Sequence, residues 1–336
     1  MPLLRVEQLT DLVTTVFLNS KTSEINAKIV AEALIKAELD GLSSHGLARV
    51  ESYVGQAISQ KVDGYAEPAA RQLSSAALQV DAKFGFSYPA IDIGLNSAID
   101  LVVDAGIVGL SIKNSHHAGV LGHHVEKIAN AGYIGIAFSN SPSALAPWLG
   151  NRSIFGTNPI AFSCPREDDY PLIVDLSLSK VARGKILLAS KEDKPIPNDW
   201  ALDKEGFATT NAHSALAGSL LPIAEAKGAA LALMVEILSA SLARSNYGFE
   251  ASSFFSAKGS PPGIGQFFLI INAAMFGGDS FHSRIEDLVL AILDQPETRL
   301  PGERRFKIRE KTLAEGINVS KKDFAYFKAL ATNVPD

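Results

Sequence analysis

The sequence predicts an α/β protein with helical segments at both ends of the chain. After Gly64, short β-rich runs alternate with amphipathic segments of helix length, which is the pattern of strand–helix–strand units. Residues 3–60 and 304–331 instead have helical periodicity. The chain has 336 residues, 47% of them hydrophobic, so it can bury a large core.

The first helical segment contains one clearly bounded helix. Ile25, Ile29 and Ala33 recur at i, i+4, which places them on one helix face. Ser23 can cap the start of this helix, and Gly41 can end it. We therefore expect a helix between these two residues.

The central elements follow in chain order. Apolar or alternating runs predict strands at 77–81, 108–113, 134–139, 160–164, 172–175 and 267–272. Helical periodicity predicts helices at 88–104, 121–131, 180–190, 226–242 and 280–293. Residues 195–224 have no clear period and are predicted to run over the surface. We expect three parts: a helical N-terminal domain (1–72), an α/β core (73–284) and C-terminal helices (285–336) that pack back on the N-terminal part.

The composition argues against several kinds of protein. A net charge of −5, from 31 basic and 36 acidic residues, gives no positive surface for nucleic acid. The single cysteine, Cys164, cannot form an internal disulfide, which favours the reducing cytoplasm. The most apolar long stretch, residues 228–243, contains Glu236 and is shorter than the roughly 20 residues of a membrane span. We expect a cytoplasmic protein with no nucleic-acid or membrane partner.

The sequence lacks the usual phosphate-binding and hydrolase motifs. Gly263-Ile264-Gly265 is followed by Gln266 rather than by a third glycine and a helix, so it is not a Rossmann fingerprint. The P-loop, H-E-x-x-H and G-x-S-x-G patterns do not occur. A dinucleotide would therefore have to bind through another architecture.

The first candidate site is the run Ser-Ser-His-Gly-Leu-Ala-Arg at residues 43–49. If the chain turns helical again here, His45 and Arg49 share one face at i, i+4. Histidine can transfer a proton near neutral pH, and the planar fork of arginine matches a carboxylate. Ser44 can fix the imidazole tautomer. The alternative is an exposed helix start with a serine cap and an incidental arginine.

The second candidate is the group of His116, His117, His123 and His124, which follows a predicted strand. The end of a parallel strand is a common ligand position in α/β proteins. Neither a cysteine nor a carboxylate lies at ligand spacing among these histidines, so we expect no metal site. Surface or interface histidines are the alternative.

The third candidate is the turn Phe-Gly-Thr-Asn-Pro at residues 155–159, in which Thr157 can present its hydroxyl and N–H to a ligand. A purely structural turn is the alternative. Further along, Lys227 lies in the first turn of a predicted helix, against the preference of the helix dipole, which indicates that it faces an anion.

Taken in order, these motifs resemble the type 2 malate/L-lactate dehydrogenase family. The matching segments run nearly end to end: S-H-G-x-x-R, the His117 loop, F-G-T-N-P-I-A-F, D-L-S, A-R-G-K-I, I-P-x-x-W-A-L-D, A-K-G, G-x-G-Q and L-P-G-E. The resemblance implies a non-Rossmann α/β fold with a mixed-sheet core that binds NAD(H) or NADP(H). It also implies a homodimer that acts on a small carboxylate substrate near the subunit interface.

The resemblance further implies roles for individual residues. His45 would carry the proton with Ser44 orienting it, while Arg49 and Thr157 would hold the substrate carboxylate. His117 would take part in catalysis and in cofactor binding, and Lys185 would belong to the catalytic group. The other cofactor-contacting positions would be Ser141, Asp175, Leu176, Ser177, Lys227, Pro301, Gly302, Glu303, Arg304 and Arg305. No metal is implied.

Two branches of the family remain open for the substrate. The Ser260-Pro261-Pro262 run, the His116-His117 pair and the chain ending at 300–305 resemble the reductases of 1-pyrroline-2-carboxylate and 1-piperideine-2-carboxylate. This branch implies reduction of a cyclic imino carboxylate with NADPH, with NADH as a possible substitute. Lys185 stands where the piperideine-carboxylate reductases have an aspartate, and it resembles the 2-hydroxy acid dehydrogenases of malate, lactate or ureidoglycolate type. We therefore predict reduction of 1-pyrroline-2-carboxylate or 1-piperideine-2-carboxylate to L-proline or L-pipecolate, with oxidation of a 2-hydroxy acid as the alternative.

Two other functional classes compete with an oxidoreductase. A binding protein on the same scaffold would have lost His45 or Arg49, and both are present. A metal-dependent hydrolase would require stoichiometric zinc.

Overall fold

The fold is known from a computed structural model that describes residues 2–167 and 169–332, and it is built around a seven-stranded mixed sheet. The strands, in chain order, are β1 (Leu3–Leu4), β2 (Ala69–Ser74), β3 (Ala77–Asp81), β4 (Ile107–Ser115), β5 (Ile134–Ser139), β6 (Ile160–Cys164), β7 (Leu172–Leu176), β8 (Ala201–Leu202), β9 (Ser219–Leu220), β10 (Ile264–Ile271) and β11 (Ile317–Asn318). The main sheet has the order β2-β3-β4-β10-β5-β6-β7, and β1 with β11 and β8 with β9 form two small sheets.

Helices cover both faces of the sheet and both ends of the chain. In chain order they are α1 (Val6–Leu18), α2 (Glu24–Leu39), α3 (Val50–Ile58), α4 (Ser87–Ala105), α5 (Leu121–Asn130), α6 (Arg183–Lys191), α7 (Ala212–Ala217), α8 (Ala226–Glu236), α9 (Ala273–Gly277), α10 (Phe281–Leu293), α11 (Glu303–Glu315) and α12 (Lys321–Thr332). None of the helices in the described part of the chain has the length and apolar character needed to cross a membrane.

The mixed-sheet core implied by the resemblance is confirmed, but the expectation of repeated parallel units is not. Among the described strands of the main sheet, only β3 and β4 are parallel neighbours, and α4 connects them. Strand β10 lies between β4 and β5 and is antiparallel to both, and β6 and β7 continue the antiparallel pattern. The alternation of strands and helices along the sequence therefore predicts the type of each element but not the direction of each strand.

The sequence located most elements and missed those without a period. Strand β2 was missed because all six of its residues are exposed, so its sequence has no apolar alternation. The helix predicted at 226–242 is α-helical only to Glu236 and continues as a π-helix at Ile237–Ser241. Residues 195–224 do not simply run over the surface as expected, because they contain α7, β8 and β9, and Ala201, Ala215 and Leu220 within them are buried.

The two ends of the chain meet. Strand β1 pairs with β11, and Phe327 of α12 is buried in the same cluster as Leu9 and Val13 of α1. Helix α2 is capped by the Ser23 hydroxyl as expected, and its end is followed by Gly41 with φ of +72°. The boundaries of the three expected parts stay a prediction.

Candidate active site

One edge of the main sheet gathers the ends of five neighbouring strands. Because β4, β10, β5, β6 and β7 are antiparallel in succession, the C-terminal ends of β4, β5 and β7 lie beside the N-terminal ends of β10 and β6. The loops that leave this edge contain His117 after β4, Ser141 after β5, Thr157 before β6 and Ser177 after β7. The topology thus brings to one edge four residues that lie far apart in the sequence.

His45 and Arg49 reach this edge from the end of α2, although not on the α-helix that their spacing predicted. The chain forms two 3₁₀ turns, Ser43–His45 and Leu47–Arg49, separated by Gly46. The Glu38 carboxylate holds this geometry by accepting from the Ser43 hydroxyl at 2.8 Å and the Leu47 N–H at 2.7 Å. A Cβ at position 46 would lie 2.4 Å from the Glu38 Oε1, so a larger residue there would displace the carboxylate that holds the two turns.

The His45 imidazole lies between Ser44 and His117. Its Nδ1 is 3.0 Å from the Ser44 hydroxyl, and its ring stacks on His117 with a centroid distance of 5.5 Å. Burial, together with the positive charge of Arg49, lowers the pKa of His45 to about 4. The sequence gives histidine its ordinary value near 6.5, whereas this imidazole is neutral at pH 7, which is the form that can accept a proton.

Arg49 is buried and incompletely paired. Its Nε donates to the Ser44 carbonyl at 2.8 Å, and its guanidinium lies 4.6 Å from the centroid of the Phe255 ring. Its Nη1 is buried and has no hydrogen-bond partner among the described residues. A buried guanidinium donor without an acceptor is costly, and a substrate carboxylate would satisfy it.

The histidines after β4 are held by tyrosine and glutamine from α3 and α4. His117 Nδ1 is 2.7 Å from the Tyr53 hydroxyl, which lies 3.4 Å from the Tyr88 hydroxyl. His116 Nε2 is 3.1 Å from Gln56 Oε1. Burial lowers the pKa of His116 to about 3 and that of His117 well below its ordinary value. Both rings are therefore neutral at pH 7 and offer no positive charge to an anion.

A second group of charges lies next to His45 at the end of β7. Asp175 Oδ2 accepts from the Gly122 N–H at 2.9 Å and from Arg305 Nη2 at 3.3 Å. Arg305 also lies 3.7 Å from Asp40, and its Nη1 is buried without a partner among the described residues. Two of the positions predicted to contact the cofactor, Asp175 and Arg305 of the 301–305 turn, are thus in direct contact with each other.

A third group surrounds the predicted Thr157. The Thr157 N–H donates to the Ser141 hydroxyl at 3.1 Å, and its carbonyl accepts from the N–H of Leu178 at 2.9 Å. Asn158, at φ of +40°, donates to the buried Glu236 at 2.7 Å, which fixes the turn. Burial raises the pKa of Glu236. The structure joins Thr157 to Ser141, and the role of Thr157 as a second carboxylate ligand stays a prediction.

Several predicted residues lie outside these hydrogen-bonded groups. Lys185 is exposed on α6, with no side-chain hydrogen bond to Ser44 or His45 among the described residues, and Lys227 is exposed at the start of α8. Ser177 bonds to the Ser179 hydroxyl at 2.8 Å, and Leu176 is 51% exposed. The catalytic role of Lys185 and the cofactor contacts of Lys227 stay predictions. In the described ranges, no group of three or more histidine, cysteine or carboxylate side chains could hold a metal ion.

The residues present fit a long, phosphate-bearing cofactor. Asp175 binds Arg305, and the chain continues through the exposed Leu176 and Ser177 to Leu178, whose N–H donates to the Thr157 carbonyl. Arg305 offers an unpaired buried donor at one end of this path. A Cβ at position 122 would lie 2.4 Å from Arg305 Nη1, so the glycine leaves room for the guanidinium.

The sequence missed several residues that shape the site. Phe254 contacts the rings of His116 and His117 at centroid distances of 5.2 and 5.0 Å, and Phe255 covers Arg49. Phe255 is about 200 residues from Arg49, and Phe254 is more than 130 residues from the two histidines, so no local pattern indicates either of them. Tyr53 was identifiable in part, because it lies four residues after Arg49 and thus on the same helical face.

Comparison with known proteins places the chain among oxidoreductases. A model of the malate/L-lactate dehydrogenase family matches residues 4–328. A (2R)-3-sulfolactate dehydrogenase (NADP(+)) from Chromohalobacter salexigens is 50% identical over 283 residues, which cover 84% of each chain. A Delta(1)-pyrroline-2-carboxylate/Delta(1)-piperideine-2-carboxylate reductase from Pseudomonas syringae is 34% identical over 325 residues, which cover 96% of this chain and 95% of the other.

Solved structures give the same grouping. The crystal structure of the delta1-piperideine-2-carboxylate reductase from Pseudomonas syringae superposes with a TM-score of 0.93 at 34% identity and covers 98% of this chain and 100% of that one. A sulfolactate dehydrogenase from Methanocaldococcus jannaschii superposes with a TM-score of 0.90 at 28% identity, with coverages of 98% and 96%.

Proposed function

The chain belongs to the malate/L-lactate dehydrogenase family of oxidoreductases, and we propose that it interconverts a small 2-hydroxy carboxylate and its 2-oxo form with NADP(H). The observation that carries this proposal is the pairing of a neutral His45 with Arg49, whose buried Nη1 has no partner among the described residues. A carboxylate bound at Nη1 lies beside the imidazole, because Arg49 Nε is already fixed to the carbonyl of the residue before His45.

In the oxidative direction, the substrate loses a hydride from C2 and a proton from its hydroxyl oxygen. The nicotinamide, when bound, is the hydride acceptor. His45 is neutral and accepts the hydroxyl proton, while the Ser44 hydroxyl at Nδ1 holds the ring orientation. Arg49 holds the carboxylate throughout. Its charge is offset once the carboxylate binds, so the pKa of His45 rises and protonation becomes easier in the bound state.

We place 3-sulfolactate first among the substrates. The support is the 50% identity to a (2R)-3-sulfolactate dehydrogenase, together with Lys185, which fits the hydroxy acid pattern better than the imine pattern. The second candidate is reduction of a cyclic imino carboxylate, which the sequence alone favours. Its support is the Ser260-Pro261-Pro262 run and the superposition on a piperideine-carboxylate reductase.

The proposed cofactor is NADP(H), the cofactor for which the similar (2R)-3-sulfolactate dehydrogenase (NADP(+)) is named. Arg304 and Arg305 lie in the first turn of α11 and line a cavity of about 350 Å³ together with Arg299 and Leu42. Arg305 uses its Nε and Nη2 on Asp40 and Asp175 and has only the buried Nη1 left, whereas the side chain of Arg304 is exposed. Arg304 is therefore the better residue to bind the 2′-phosphate, which is the group that distinguishes NADP from NAD.

We also infer a homodimer in the cytoplasm. Exposed apolar side chains cluster on α8 and just after it, where Leu231, Leu233 and Ile237 are 41%, 50% and 50% exposed. Such a patch on a protein of this kind is suited to a second copy. The cytoplasmic assignment is supported by the free, buried Cys164.

The proposal is tested with a substrate panel followed at 340 nm. The protein is given 3-sulfopyruvate, pyruvate, oxaloacetate or 1-pyrroline-2-carboxylate, each with NADPH and with NADH. We expect kcat/KM for 3-sulfopyruvate with NADPH to exceed the other combinations by about tenfold or more. Efficient turnover of the imine with background rates on all 2-oxo acids would reject the proposal in favour of the second candidate.

A further inference from the structure

Lys61 lies just beyond the end of α3 and is almost fully buried, at 2% exposure. Its ammonium donates to three backbone carbonyls, those of Ser253 at 2.7 Å, Ser256 at 2.9 Å and Lys258 at 3.1 Å. Burial of a lysine is expensive unless its donors are satisfied, and here a single loop supplies all three acceptors. The lysine therefore fixes the course of this loop rather than pairing with a carboxylate.

Two more side chains near the end of α3 bind the same loop. Gln56 Nε2 donates to the Phe254 carbonyl at 2.7 Å, and the Ser59 hydroxyl donates to the Ala257 carbonyl at 2.9 Å. Residues 253–258, which we call the cover segment, thus have five carbonyls bound by side chains and lie in no helix or strand. Lys61 supplies three of these five bonds.

The cover segment brings two aromatic rings to the candidate active site. Phe254 is buried against His116 and His117, and Phe255 lies over the guanidinium of Arg49. Phe255 is 68% exposed, so packing against the protein does little to hold it there. Its position depends on the backbone of the cover segment, and hence on the bonds from α3 and Lys61.

We propose that Lys61 is a positioning residue that holds Phe255 over Arg49 and thereby determines which carboxylates reach the free Nη1. One face of the guanidinium is occupied by the ring, so a carboxylate must approach in the plane of the fork. The ring also displaces water from that face, which strengthens the charge-assisted bond to the substrate. Substrates with a small group next to C2 are admitted, and bulky ones meet Phe255.

This inference rests on the proposed function, and its test uses Lys61→Met, Lys61→Arg and Lys258→Met. Lys61→Met should raise KM for the preferred small 2-oxo acid about tenfold with kcat within about threefold, because His45 is untouched. The same variant should lose most of the discrimination against 2-oxo acids with bulky side chains. Lys61→Arg keeps a charged donor and should restore part of the KM effect. Lys258→Met makes the same chemical change at an exposed position of the cover segment and should leave KM unchanged.

A double-mutant cycle with Phe255→Ala shows whether Lys61 acts through that ring. If it does, Lys61→Met in the Phe255→Ala background should change KM by less than about twofold. Equal effects in both backgrounds, or a KM for Lys61→Met within twofold of the unmodified protein, would overturn the proposal. A fall in Tm with unchanged KM and unchanged discrimination would also overturn it, because it would make Lys61 merely structural.

Limited proteolysis separates this inference from the proposed function. Chymotrypsin should cleave after Phe254 or Phe255 at least about tenfold faster in Lys61→Met than in Lys258→Met, whether or not any substrate is turned over. Absence of turnover in the unmodified protein would reject the proposed function while the cleavage rates still report on the anchor. Equal cleavage rates in the two variants would reject the anchor itself.

Discussion

The substitution Arg49→Lys tests the carboxylate site at a single residue. The Arg49 fork has one donor fixed to the Ser44 carbonyl and one buried donor, Nη1, without a partner among the described residues. Lysine keeps the charge, but its compact ammonium cannot reproduce the planar fork that spans the Ser44 carbonyl and the Nη1 position, so one of the two bonds is lost. A charge-assisted hydrogen bond contributes about 1.5–3 kcal/mol, and each 1.4 kcal/mol is about tenfold, so KM for the carboxylate should rise about 10- to 150-fold.

The assay measures KM and kcat at saturating NADPH together with Tm. We expect a decrease in Tm of no more than about 4 °C, because the lysine ammonium can still bind the Ser44 carbonyl. Arg71→Lys, at an exposed position of β2, is the matched control and should change neither quantity. A large decrease in Tm with KM within twofold of the unmodified protein would show that Arg49 is structural and that the carboxylate binds elsewhere.

Three further predictions concern pH and the cofactor. Because the pKa of His45 is about 4, kcat/KM for oxidation of the hydroxy acid should be flat above pH 5 and should fall as the pH decreases through about 4. In the opposite direction, kcat/KM for reduction should fall as the pH rises above about 4. A reduction rate independent of pH would indicate an imine substrate that brings its own proton. Arg304→Glu should lower the ratio of kcat/KM for NADPH to kcat/KM for NADH about tenfold or more. The control Arg284→Glu, on α10, should leave this ratio unchanged. An unchanged ratio in Arg304→Glu would show that the 2′-phosphate binds elsewhere. Burial lowers the pKa of His116 to about 3 from its ordinary 6.5, so the unfolded chain protonates this histidine at a higher pH than the folded chain does. Tm should therefore fall as the pH decreases from 6.5 towards 3, and it should fall less steeply in His116→Gln. The same pH dependence of Tm in both proteins would contradict the lowered pKa of His116.

The sequence predicts element types well where burial imposes a period. Strands β3, β5 and β6 coincide with their predicted bounds because their apolar residues face a core. Strand direction depends instead on β10, which comes from residue 264 onwards and inserts between β4 and β5. No local pattern encodes that insertion, so the sequence could not exclude parallel units.

In the candidate site, too, local motifs predict some features, whereas others depend on contacts between distant parts of the chain. The motif at 43–49 identifies His45 and Arg49, but Gly46 and Glu38 decide that the chain makes two 3₁₀ turns rather than a helix. The pKa of His45 depends on burial by elements distant in sequence, so the ordinary value near 6.5 was wrong for this residue. Lys61 and Phe255 contribute only through tertiary contacts, and neither belongs to a recognisable motif.

The most direct test of His45 as the proton carrier is turnover by His45→Ala, measured at 340 nm with the preferred substrate and saturating NADPH. Loss of a positioned general acid–base group should lower kcat by about a hundredfold or more. NADPH affinity, measured by fluorescence titration of the same variant, should remain within about twofold of the unmodified protein, because the imidazole acts on the substrate. Turnover within about threefold of the unmodified protein, at equal cofactor affinity, would contradict the role of His45 and with it the proposed chemistry of this site.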